Sequence, residues 1–140
     1  MLGVNAYPEE YVDECERSMK AQLSAYRSLV SSAGNGKAVG SAVQSFDPLF
    51  FNNLTLVLDA YFVHRLRKVE GKDGNPLNEV RMLCDTMLRS QGVLNADKTI
   101  KYTPETSVLK LRIGDEIRLD EKQFLALFEA FFAETRRKFC

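Results

Sequence analysis

The sequence predicts an α+β fold, in which three or four N-terminal helices precede a three-stranded antiparallel β-meander that a C-terminal helix closes. Two changes of period lead to this prediction. Apolar residues recur at steps of three and four over about residues 8–91, alternate with polar residues after Gly92, and return to helical spacing beyond Asp120. Because 140 residues match the size of one domain, we expect a single domain, with its helical part at about 8–91 and its sheet plus helix at about 98–139.

The first helix is expected to begin after Pro8, since proline suits a first turn and the carboxylates that follow it meet the positive end of the helix dipole. The motif Gly34-Asn35-Gly36 should end this helix. Residues 37–46 are small and weakly apolar, so they fit either a short helix or a loop. One apolar stripe runs along the first helix: Val12, Cys15, Met19, Leu23, Tyr26 and Val30.

The second helix is predicted to open at Asp47-Pro48 and to end near Val69. Apolar residues nearly surround it, which is typical of a central helix. Three polar residues on one of its faces must form an internal network, meet a cavity or reach solvent, and solvent is the commonest answer. These residues are Asn52, Thr55 and Asp59.

A third helix is predicted to start at Asn75-Pro76 and to close at Gly92. The three strands of the meander should follow, with turns at residues 103–106 and around Gly114-Asp115. A three-residue connection at the second turn keeps one face of the sheet apolar, because it pairs the alternating residues of the two strands. The pairs that this register predicts are Ile113 with Ile117 and Leu111 with Leu119.

The last helix is predicted from a capping box, in which Asp120 precedes Gln123 by three residues. Its aromatic face should cover the apolar side of the sheet, and its basic last turn meets the negative end of the helix dipole. The aromatic face consists of Phe124, Leu127, Phe128, Phe131 and Phe132.

Composition excludes several classes of function. The 19 basic and 19 acidic residues balance, and the basic residues do not concentrate on one predicted face, so we expect no nucleic-acid partner. Residues 49–63 are interrupted by polar side chains and are shorter than the roughly 20 apolar residues of a membrane span. The acidic N-terminal residues and the odd number of cysteines favour a cytoplasmic protein. With His64 as the single histidine, we expect no metal site, and no motif calls for a cofactor.

The densest polar cluster lies at the corner between the second and third predicted helices, residues 64–81. We interpret it as the candidate site for a small anionic ligand, because a helix end, a glycine-rich loop and a helix start bring donors together there. His64 is the one candidate for proton transfer, because an imidazole can act as a general base. The candidate ligand-binding residues are Arg65, Arg67, Lys68, Asp73, Asn75, Glu79 and Arg81. The competing interpretation is that these charges complement the two helix ends.

Two functions therefore remain open. The first is a non-enzymatic association or regulatory module that acts as a homo-oligomer, most simply a dimer, because the apolar stripes of the first and last helices and the sheet edges need cover. The alternative is a small-molecule binding protein or enzyme with its site at corner 64–81. The two differ in whether that corner lines a cavity or meets water.

Overall fold

The computed structural model describes residues 3–89 and 92–140, and the chain within these ranges is helical. The predicted α+β fold with a β-meander is wrong: the described ranges contain isolated bridges between Val4 and Arg65 and between Val93 and Glu116, and no sheet. The helices are α1 (Glu9–Ala33), α2 (Lys37–Tyr61), α3 (Arg67–Glu70), α4 (Pro76–Arg89) and α5 (Glu121–Phe139), with a 3₁₀ turn at Pro104–Thr106.

Helix α1 confirms the first prediction. It begins directly after Pro8, carries two carboxylates in its first turn, and ends before Gly34. Gly34 has a φ of 90°, which glycine adopts without strain. The predicted stripe is buried from Val12 to Tyr26, whereas Val30 is half-buried.

Helix α2 differs from its prediction at both ends. It begins at Lys37, so residues 37–46 form its first turns, and it continues through Pro48 with the loss of one backbone donor. Asp47 caps no helix, because it lies inside α2. Its carboxylate instead accepts a hydrogen bond from the hydroxyl of Tyr26. The helix ends at Tyr61 rather than near Val69, since the chain beyond it turns to pair with Val4.

Helix side chains supply part of the hydrogen bonding of the segment predicted as strands; the N–H of Ile117 donates to the carbonyl of Gly92. Ile117 and Leu119 are buried as the alternation predicts. Their backbone, however, pairs with one amide side chain: Asn52 donates to the carbonyl of Ile117 at 2.8 Å and accepts the N–H of Leu119 at 3.1 Å. Asn52 thus occupies the place of a neighbouring strand. The predicted register is wrong, and Ile113 is 49% exposed.

The polar face of α2 is an internal network rather than the solvent face that we expected. Besides Asn52, Thr55 is fully buried and its hydroxyl donates to the carbonyl of Phe51 at 2.9 Å. Asp59 forms an ion pair with Arg65. Each polar group on this face therefore has a protein partner, as burial requires.

Helices α4 and α5 begin at the predicted caps. The Asn75 side-chain oxygen accepts the N–H groups of Leu77 and Asn78, and Asp120 with Gln123 forms a complete capping box. The aromatic face of α5 is buried, but it covers α1, α2 and α4 instead of a sheet. Within residues 3–89 and 92–140, none of the helices has the combined length and apolar composition of a membrane span.

Candidate functional site

The predicted corner contains a buried ion cluster. The side chains of Arg65 and Glu70 have no exposed surface, and the Arg65 Nε lies 2.9 Å from the Glu70 Oε1. Arg81 Nη2 lies 2.6 Å from the same oxygen, and Arg65 Nη1 lies 2.8 Å from Asp59 Oδ1. Two guanidinium groups and two carboxylates therefore balance one another where α2, α3 and α4 meet.

Neutral groups add hydrogen bonds to this ion cluster, although the Arg65 Nε itself has ion-pair distance but not hydrogen-bond geometry to Glu70. Asn78 donates to the second oxygen of Glu70 at 2.7 Å, and Arg65 donates to the carbonyl of Leu77 at 3.1 Å. The Glu70 carbonyl accepts both Asn75 at 2.8 Å and Lys138 of α5 at 2.6 Å. Burial opposes ionisation of Glu70, but the Arg81 hydrogen bond and the charges of both arginines outweigh it and lower the pKa of this carboxyl.

A second buried carboxylate, Glu79, has a different environment. Its two oxygens accept the backbone N–H groups of Val108 and Leu109 at 2.8 and 2.9 Å, which fastens the loop after the 3₁₀ turn to α4. Burial raises the pKa of Glu79, although these two hydrogen bonds and the charge of Lys110 oppose the shift. Glu79 thus anchors a loop.

The other candidate ligand-binding residues divide between internal contacts and solvent. Arg67 donates to the Thr99 hydroxyl at 3.0 Å, and Asp73 accepts the Asn75 amide at 2.7 Å. His64 and Lys68 are exposed. Ligand binding at this corner and proton transfer by His64 stay predictions, and the structure brings Arg65, Asn75 and Arg81 together around Glu70 rather than around an open space.

An apolar groove that the sequence did not predict lies at the other end of α1. No residue of α1 beyond Tyr26 is buried, and none of α2 before Phe51, so the two helices project past the core as a hairpin. Between them lies a groove of about 470 Å³. Its rim holds Leu29, 66% exposed, and Phe46, 44% exposed. We call this region the hairpin tip; its groove is lined by Tyr26, Leu29, Val30, Ala33, Val39, Ala42, Val43 and Phe46.

The groove carries no charged side chain. Between Arg27 and Asp47 the sequence has one ionisable residue, Lys37. At 3.6 residues per turn, Lys37 lies about 180° around the helix from Phe46, so it faces away from the groove. The remaining residues of the hairpin are uncharged, and the side chains that line the groove are apolar apart from the Tyr26 hydroxyl, so nothing there opposes an apolar partner.

The signal for the hairpin tip was present in the sequence. Val39, Val43 and Phe46 have helical spacing, and they continue the spacing of the helix beyond Pro48. The predicted helix start at Asp47-Pro48 separates this spacing from the helix that follows, and so leaves residues 37–46 open between a short helix and a loop.

Comparisons with known proteins identified no relative. Neither the family models, nor the curated proteins, nor the solved structures contain a match to this chain.

Proposed function

We propose that the chain is a non-enzymatic association module that forms a homodimer through the hairpin tip. The observation that carries this proposal is the uncharged apolar groove with Leu29 and Phe46 on its rim. Contiguous exposed apolar surface of this kind marks interaction sites on proteins. No helix of the described chain covers it.

The lack of charge in the groove favours a second copy of the chain as its occupant. In a two-fold dimer the same patch meets itself, so any net charge on that patch would repel its own copy. The hairpin tip has none facing the groove, since Lys37 lies on the opposite side of α2. Leu29 stands on the rim, from which it can enter the groove of the second copy. This would place four helices together at the centre of the dimer.

The size of the surface predicts a weak dimer. Eight residues line the groove, and a stable interface uses about 20–30 residues on each side. We therefore expect dissociation in the micromolar range, with the dimer populated at tens of micromolar. Helix α1 contributes Leu29, Val30 and Ala33 to the proposed interface. The predicted stripe from Val12 to Leu23 and the aromatic face of α5 do not contribute, because both are buried in the core.

Sedimentation equilibrium between about 1 and 100 µM tests the proposal. The wild-type chain should approach twice its 15.9 kDa mass at the upper concentration. Leu29→Asp should remain monomeric, because it would bury a carboxylate in each copy of the groove.

The matched control is Leu88→Asp. Leu88 is 73% exposed on α4 and does not line the groove, so this variant should dimerise like the wild type. A wild-type chain that is monomeric at about 100 µM would overturn the proposal. So would a Leu29→Asp variant that dimerises as strongly as the wild type.

A further inference from the structure

Two segments that are distant in sequence run side by side at the opposite end of the molecule. Arg67 on α3 donates to Thr99 at 3.0 Å, and the N–H of Lys101 donates to the carbonyl of Lys72 at 2.8 Å. The backbone of Gly74 also packs tightly against the carbonyl of Lys101. Residues 67–74 and 97–101 therefore form one surface.

This surface is strongly basic. Five cations belong to it, and four of them are exposed lysines that form no ion pair among the described residues. Against them stand two carboxylates outside the ion cluster, Asp73 and Asp97. We call this surface the basic rim; its cations are Arg67, Lys68, Lys72, Lys98 and Lys101.

The base of the basic rim is rigid. Beneath α3, Glu70 is fixed by Arg65 and Arg81, and Lys138 of α5 donates to its carbonyl. Beneath the second segment, Ile100 is buried in the core. The backbone that carries the lysines is thus held by α4 and α5, so their spacing is fixed apart from side-chain rotation.

We propose that the basic rim binds the phosphate backbone of nucleic acid without reading its sequence. Lysines act as point charges, and a row of them suits a polymer that repeats its phosphates. The nearby aromatic residue Tyr102 is unsuited to stack on bases, because its hydroxyl is bonded to Ser107 and Leu111. The sequence alone predicts no nucleic-acid partner, because the basic rim is not apparent in it. Residues 67–72 and 98–101 are distant in sequence and come together only in the fold.

The basic rim is independent of the hairpin tip. The N–H of Tyr7 donates to the carbonyl of Phe139, so the start of α1 lies beside the end of α5 and near α3. Helix α1 has 25 residues and is about 37 Å long. One surface can therefore fail its test while the other passes.

Fluorescence anisotropy with a labelled DNA duplex of about 20 base pairs tests the proposal over a series of salt concentrations. Four lysine contacts predict a slope of about −3.6 for the logarithm of the association constant against the logarithm of salt. The double variant Lys72→Glu, Lys101→Glu should bind at least about ten-fold more weakly at low salt and reduce the magnitude of the slope by about 2.

The matched control carries the same charge change elsewhere, as Lys20→Glu with Lys122→Glu on the exposed faces of α1 and α5. It should keep most of the affinity and the wild-type slope. No binding by the wild type at low salt, or an equal loss in the control, would overturn the proposal. Binding to anionic lipid vesicles without binding to the duplex would also overturn it. Circular dichroism of each variant confirms that it is folded.

Discussion

The corner at residues 64–81 and the hairpin tip are opposites. At the corner, the charged side chains of the ion cluster are largely buried and paired, as Glu70 is with Arg65, Arg81 and Asn78. At the hairpin tip, apolar side chains such as Leu29 are exposed and no other element covers them. Buried charge without a partner and exposed apolar surface are both unfavourable. A single copy of the chain avoids the first by pairing its buried charges, but it leaves the apolar surface of the hairpin tip exposed.

The difference shows where function is to be sought in this chain. A dense polar cluster resembles a binding site in a sequence, but the buried ionic groups of this one pair with one another and hold α2, α3 and α4 together. Its exposed lysines belong to the basic rim. The hairpin tip, in contrast, is lined by apolar side chains and has no charged group facing its groove. Its exposed apolar side chains are nevertheless left uncovered within a single copy of the chain.

The largest effect is expected at the corner. Glu70→Ala leaves Arg65 and Arg81 close together without the carboxylate that they share, and should lower the free energy of unfolding by about 3–5 kcal/mol. Urea denaturation followed by circular dichroism measures the change.

The matched control for Glu70 is Glu116→Ala. Glu116 pairs with Arg118 in an exposed ion pair, which should contribute less than about 1 kcal/mol. Similar losses in the two variants would show that the corner is not the structural centre that its burial indicates.

A smaller effect distinguishes Glu70 from Glu79, because the contributions of these two buried carboxylates to stability change with pH in opposite directions. The pKa of Glu70 is lowered in the folded state, so its contribution to stability is present above the ordinary value of 4.5 and is lost as the pH falls. The pKa of Glu79 is raised, so its contribution is present below 4.5 and is lost as the pH rises through the folded value.

Urea denaturation of Glu79→Gln and wild type between about pH 3 and 8 measures the effect of Glu79. The stability of the wild type relative to this variant should decline as the pH rises above 4.5. A relative stability that instead increases over this range would mean that the hydrogen bonds from Val108 and Leu109 outweigh burial.

The smallest effect is expected at the hairpin tip. Leu29→Ser removes an exposed apolar side chain, so the stability of the monomer should change by less than about 0.5 kcal/mol, whereas the dimer should weaken. Denaturation at low protein concentration, beside sedimentation of the same variant, separates the two quantities. A large loss of monomer stability would place Leu29 in the core and remove the contrast with the corner.

The sequence predicts those features that depend on local chemistry. The capping box of Asp120 and Gln123, the Asn75 cap and the buried stripe of α1 follow from neighbouring residues, and the structure confirms them. The helix boundary at Pro48 was wrong, because the packing of α2 against its neighbours outweighs one lost hydrogen bond.

The absence of a sheet in the described ranges could not be predicted from period alone. Alternation correctly indicates that Ile117 and Leu119 are buried, but it does not reveal what pairs with their backbone. Two of the partners here are Asn52 and Glu79, which are 65–67 and 29–30 residues away from the groups that they bind in the strand-like segment. Such long-range pairing depends on the assembled fold.

The most direct test is hydrogen–deuterium exchange of the wild-type chain at about 1 and 100 µM. Peptides that cover residues 26–46 should become protected as the concentration rises, whereas peptides that cover residues 64–81 should be protected equally at both. Protection that rises at residues 64–81 instead, or no change with concentration at residues 26–46, would contradict the assignment of the hairpin tip as the association surface.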